Sequence, residues 1–157
     1  PGTGTKPHDW LGLVALPSRD EGHFMIRIHN SKGLQQQIEI GTHQLLGDVS
    51  TELGGDGAGP DPHDLFDASL GTCKAMTLLL YARQRGLPLE GIEVSVERDD
   101  SEERGGNYHL IIELSLKGPL DEAQRQQLLR VADKCPIHKL MTSTDIQVET
   151  RLAVAPA

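Results

Sequence analysis

Apolar residues recur along this chain at two spacings, and the spacings lay out its elements. Phe24, Ile26 and Ile28 alternate with Met25, Arg27 and His29, the period of a half-buried strand. Asn30 to Gly33 reads as a turn, and the alternating stretch Gln36 to Ile40 follows, so the two segments are expected to pair as a hairpin. The Gly- and Pro-rich run from Leu53 to Pro60 holds neither helix nor ladder and reads as a loop. A long helix is then predicted, with Asp61 as cap, Pro62 at its first position and Asp64 in its first turn. Arg83 and Arg85 suit its last turn, Gly86 a left-handed stop, and Pro88 the chain beyond. Leu65, Phe66, Leu70, Met76, Leu78, Leu79 and Ala82 spread around its circumference, which predicts burial on nearly all sides.

The second half repeats the strand period. Ile92, Val94 and Val96 form one alternating set and Leu110, Ile112, Leu114 and Leu116 another, joined by an acidic turn, so a second antiparallel hairpin is expected. Gly118 and Pro119 end it; Asp121 then begins a helix, with Gln124 placed to complete a capping box. That helix stops at Cys135-Pro136, because proline disfavours helical geometry in the residue before it. Ile146, Val148 and Leu152 are read as a last strand. The order ββαββαβ, without alternating crossovers, predicts an α+β fold on antiparallel sheets. A helix apolar all round needs more cover than these elements give, so a homodimer sharing its core is expected.

Composition narrows the function. At 157 residues the chain has the size of one domain, 1–157, with residues 1–20 read as a disordered arm and Pro1 to His8 kept out of the fold. A formal net charge of −8 with no clustering of Lys and Arg argues against nucleic acid as a partner. The longest strongly apolar run, Met76 to Ala82, is too short to span a bilayer, and a cytoplasmic location is expected. Two cysteines do not make a stabilising framework in such a chain, and by count alone they read as small buried hydrophobes.

Their settings open another reading. Cys135 precedes Pro136 at a helix start, which would lower its pKa, and His138 falls on the same face of that short helix. Cys73 lies mid-helix in apolar company, where burial would make it inert. A thiol peroxidase needs one thiolate to open the O–O bond and a second thiol to trap the sulfenic acid, and from the residues alone either cysteine can take either role. Ten positions before Cys73, His63 projects about 80° from it around the helix, while Asp64 projects roughly opposite; capping is the plainer reading of both. Asp67, among apolar neighbours, requires an Arg or a backbone donor unless it sits on a solvated rim. A zinc site from Cys73, Cys135, His138 and His63 is disfavoured for want of a closely spaced cysteine pair, and no metal or cofactor is expected.

The run from Gly59 to Thr77, GPDPHDLFDASLGTCKAMT, followed by Tyr81-Ala82, Gly86 and Pro88 to Gly91, resembles the first cysteine segment of OsmC-like proteins. ADKCPIHK, from Ala132 to Lys139, is similar to their second, and the resemblance covers roughly Phe24 to Leu152. It implies an OsmC-like fold, antiparallel sheets around two central helices in an intertwined homodimer, with active sites at the subunit interface. It also implies a hydroperoxide reductase in which Cys73 attacks an organic hydroperoxide, Cys135 resolves it as a disulfide, and a dithiol reductant, in some members a lipoyl protein, recycles the pair. Those reductases place a Glu ten residues before the nucleophile, working with an N-terminal Arg. This chain has His63 there and Asp64 next, closer to the branch whose acid stands nine residues ahead. Arg27 is the candidate arginine and Arg19 its rival. The alternative function is a non-catalytic or redox-sensing module that holds a small ligand in the interface cavity.

Overall fold

Turns at Gly33-Leu34 and Gly41-Thr42 cut the N-terminal part of the chain into three short strands. The computed structural model describes residues 25–154, so Phe24, Arg19 and the 1–20 arm lie outside the described residues. The described chain divides between Phe66 and Asp67 into two compact units, each taken by itself. In the first, β1 (Ile26–Lys32), β2 (Gln35–Ile40) and β3 (His43–Gly47) form an antiparallel sheet in the order β1-β2-β3. The expected hairpin is present, with Ile26 opposite Ile40 and Ile28 opposite Ile38. Beyond β3 the loop is organised by the buried carboxylate of Asp48, which accepts the backbone N–H groups of Val49 at 2.8 Å, Ala58 at 3.0 Å and Asp56 at 3.2 Å. Those donors, Ala58 foremost, hold its pKa below the usual range against the opposing effect of burial.

Helix α1 (Pro62–Arg85) begins in the first unit and continues through the second. Its start is a reciprocal cap: Asp64 N–H donates to Asp61 Oδ1 at 2.8 Å, and Asp61 N–H donates to Asp64 Oδ2 at 3.1 Å. Gly86, at φ 66°, stops it in the left-handed conformation that glycine tolerates, and Leu87 N–H folds back to Ala82 O at 2.9 Å. In the second unit β4 (Gly91–Asp99) and β5 (His109–Lys117) form the expected hairpin, with Ile92 opposite Leu116, Val94 opposite Leu114 and Val96 opposite Ile112. Helix α1 lies on that sheet at Gly71, where a Cβ would come within 2.9 Å of Val96 Cγ2. Helix α2 (Glu122–Ala132) carries the predicted Asp121/Gln124 capping box, a feature worth about 1 kcal/mol. A tight corner leads to α3 (Pro136–Ser143). Leu78, Tyr81, Ala82, Leu120, Leu128, Val131 and Ala132 make the core of this unit.

The α+β class and the antiparallel pairing agree with the expectation, while the element order is βββαββαα. Strand β3 has no signature in the sequence, because His43 and Gln44 are polar and Leu45 and Leu46 are adjacent, so no alternation marks it. The last strand expected over Ile146 to Leu152 does not form: residues 144–154 carry no regular structure, and Val148 is 84% exposed. A period of two says which face a strand would bury, not that a partner edge is within reach. Strand β1 does find a partner edge in β2, yet it is exposed along its whole length rather than half-buried, because pairing at an edge does not cover a strand's face. Nor is α1 buried on nearly all sides. A stripe of Asp67, Leu70, Gly71, Lys74, Leu78 and Tyr81 is covered, while Phe66 is 49% and Met76 59% exposed. Among the described residues no helix is long and apolar enough to cross a membrane.

Candidate functional site

Helical spacing fixes the first half of the site. On α1, Cys73 stands at the edge of the buried stripe, half-buried between exposed Thr72 and buried Lys74. The second half is set by proline. Pro136 at the first position of α3 leaves Cys135 extended, at φ −64° and ψ 142°, as the cap of that helix. Its sulfur then takes the place of a capping oxygen and accepts the backbone N–H of His138 at 3.3 Å. Cys135 is fully buried. Neither cysteine is in a disulfide, and Cys73 is near enough to Cys135 for its side chain and its charge both to disfavour ionisation of the Cys135 thiol.

The same surroundings reverse one expectation. A helix N-terminus lowers a thiol pKa, and the His138 N–H does act in that direction, yet the pKa of Cys135 is raised. Burial is the first cause, and the neighbouring Cys73 adds to it. The expected advantage of Cys135 as the readily ionised thiol is therefore corrected: the N-terminal position is present, but loss of water outweighs it. What opposes burial, besides the His138 N–H, is the charge of Lys74.

Lys74 follows Cys73 in sequence, is 2% exposed, and reaches from α1 to the corner between α2 and α3. Its Nζ donates to Ala132 O at 2.8 Å and to Asp133 Oδ1 at 3.2 Å, and stands 3.0 Å from His138 Nδ1. An ammonium only donates, so in this arrangement Nδ1 is the accepting nitrogen of the ring. Ala132 O is one of the carbonyls that the end of α2 leaves without an intrahelical partner, which is where a cation is favoured. The signal for this residue in the sequence is its position: a lysine in the i, i+3, i+4 stripe between Gly71 and Leu78 is buried and therefore needs partners.

Asp67 behaves as its neighbours demanded. It is buried and receives Arg98 Nε at 2.6 Å and the Tyr108 hydroxyl at 2.8 Å, so the solvated-rim alternative falls. Burial, with the Asp67 carboxylate beside it, pushes the Tyr108 phenol up to about 12. The remaining candidates lie in the first unit. Arg27 is exposed on β1 opposite Glu39, His63 is exposed in the first turn of α1, and Asp64 closes the reciprocal cap with Asp61. Among the described residues no group of three or more His, Cys, Asp or Glu side chains is arranged to hold a metal ion.

Comparison with known proteins agrees with this frame. A family model described as OsmC-like protein matches residues 54–151. The fold is shared with a Psychrobacter arcticus protein provisionally named an osmotic stress induced and detoxification response protein, at TM-score 0.67 and 17% identity over 80% of this chain and 93% of that one. It is shared also with an OsmC-like protein from Mycoplasma pneumoniae, at TM-score 0.65 and 15% identity over 79% of this chain and 90% of that one. The organic hydroperoxide resistance protein OhrB of Bacillus subtilis is similar at TM-score 0.53 and 21% identity, over 76% and 92% of the two chains. No curated protein matches the sequence significantly.

Proposed function

The chain belongs to the OsmC-like family, and on that premise we propose that it is a thiol-dependent peroxidase that reduces organic hydroperoxides through Cys73 and Cys135. The observation that carries this reading is the meeting of two free thiols, one half-exposed and the other sealed from solvent. Exposure supports one order: Cys73 keeps some access to solvent and Cys135 has none, which favours Cys73 as the thiol that meets the peroxide.

In the first step the Cys73 thiolate attacks one peroxide oxygen; an S–O bond forms, the O–O bond breaks, and the alkoxide leaves as the alcohol after taking a proton. In the second, Cys135 attacks the sulfur of the Cys73 sulfenic acid, the S–S bond forms and water departs. A dithiol reductant, a lipoyl protein being one source, then exchanges with the disulfide and restores both thiols. Arg27, His63 and Asp64 are proposed as peroxide-binding residues on the family resemblance alone. The protein works in a reducing, cytoplasmic setting, where its thiols stay free between turnovers. A homodimer completes it: Phe66 and Met76 on α1, the outer face of β1 and the segment from Ile146 to Leu152 all leave apolar side chains exposed that a second copy can cover.

The test is consumption of cumene hydroperoxide or tert-butyl hydroperoxide fuelled by a dithiol. The wild type turns over and Cys73→Ser does not. A wild type that consumes neither peroxide, with both thiols persisting, contradicts the proposal and favours a ligand-binding module.

A further inference from the structure

The buried ammonium of Lys74 is the feature that peroxide chemistry at two thiols does not by itself require. An ion taken out of water is costly even when paired, and an apolar side chain of similar length would fill the same space at less cost. The charge is nevertheless held by three acceptors from one corner of the fold: Ala132 O ends α2, Asp133 is in the turn, and His138 is in the first turn of α3. That corner carries one other reactive atom, the sulfur of Cys135, which caps α3 between Asp133 and His138.

We infer that Lys74 is a positioning residue for the resolving step, fastening the α2–α3 corner to the helix that bears Cys73 and keeping a positive charge beside Cys135 so that its buried thiol can ionise. The inference rests on the reading of Cys135 as resolving thiol. In that step Cys135 gives up its proton, its sulfur attacks the Cys73 sulfenic sulfur, and the departing hydroxide takes up a proton as water. The anion forms transiently on a sulfur that has no solvent exposure. Burial opposes it, and the groups that oppose burial are the His138 N–H and the Lys74 charge. The charged and titratable groups facing Lys74 are Asp133 and His138 from the corner, and Cys135 with Cys73 beside it. From the hairpin packed on α1, the Arg98 guanidinium and the neutral Tyr108 hydroxyl bond to Asp67.

The test reads Cys135 alone. The chain has two cysteines, so Cys73→Ser leaves one thiol, and the β-carbon NMR shift of labelled cysteine followed against pH reports its ionisation directly. In that background Lys74→Met moves the midpoint upward by about one unit, equivalent to about tenfold less thiolate at neutral pH, and Lys74→Arg returns most of the shift. Asp133→Asn, at a largely exposed position, removes a counter-charge from the ammonium and moves the midpoint the other way, by less. This variant keeps the question open to refutation should Lys74→Met fail to fold. A folded Lys74→Met that titrates like its parent, or an Asp133→Asn that titrates higher or unchanged, overturns the inference and leaves Lys74 a packing residue. No peroxide is used, so absence of peroxidase turnover and absence of this shift are separate results.

Discussion

Asp67 and Lys74 lie seven residues apart on α1, two turns along the same buried stripe and about 10 Å apart along the axis. Both are charged groups in the buried stripe of the helix, and both are satisfied, yet by different parts of the fold. Asp67 is closed by two side chains of the β4–β5 hairpin region, Arg98 and Tyr108, with no nucleophile among them. Lys74 is closed largely by the ends of helices, a carbonyl of α2 and a ring from α3, with a thiol in the same corner. The lesson is that burial of a charge does not mark a reactive site. What distinguishes the two is whether the partners of the charge also hold a group that has to change its own ionisation.

The comparison can be broken most forcefully at Asp67. Asp67→Ala leaves Arg98 and the Tyr108 hydroxyl without their acceptor, and because Arg98 keeps some exposure the cost falls at the lower end for a broken buried pair, about 3 kcal/mol. Chemical denaturation reads it, and the Cys135 titration should not move. Equal effects of Asp67→Ala and Lys74→Met on that titration would erase the distinction between the two sites.

Tyr108→Phe sharpens the same contrast with a smaller effect. It removes one donor to Asp67 and leaves Arg98 in place, a loss of about 1 kcal/mol at neutral pH. Its pH signature is more specific. The phenol is raised in the folded state from an ordinary value of 10.0 to about 12, so its neutral form is favoured by folding. That contribution is complete below pH 10.0 and is lost as pH rises towards about 12. Denaturation midpoints of the parent should therefore fall across this window, and those of Tyr108→Phe should fall less.

What was legible in the sequence was local. The ends of α1, its glycine stop and the capping box of α2 all depend on residues within a few positions of one another, and all appear in the structure as read. The exposed edge of β1, the absent strand after α3 and the partial cover of α1 depend on what lies opposite, which a periodic pattern does not encode. The thiols show the same division. Pro136 announced that Cys135 would cap a helix, and it does. The direction of its pKa is the reverse of the local expectation because burial, which a local pattern does not encode, outweighs the helix end. Lys74 escaped for a related reason, since its nearest acceptor, Ala132 O, lies 58 residues on and is a backbone atom with no signature in sequence.

The central claim, that Cys73 and Cys135 act as one redox unit, is tested most directly by treating the reduced wild-type protein with one equivalent of cumene hydroperoxide and mapping its sulfur by mass spectrometry without reduction. The account predicts loss of both thiols and a single linked peptide pair joining Cys73 to Cys135 within one chain. Two thiols still free, or Cys73 carried to sulfinic acid while Cys135 remains a thiol, would contradict it.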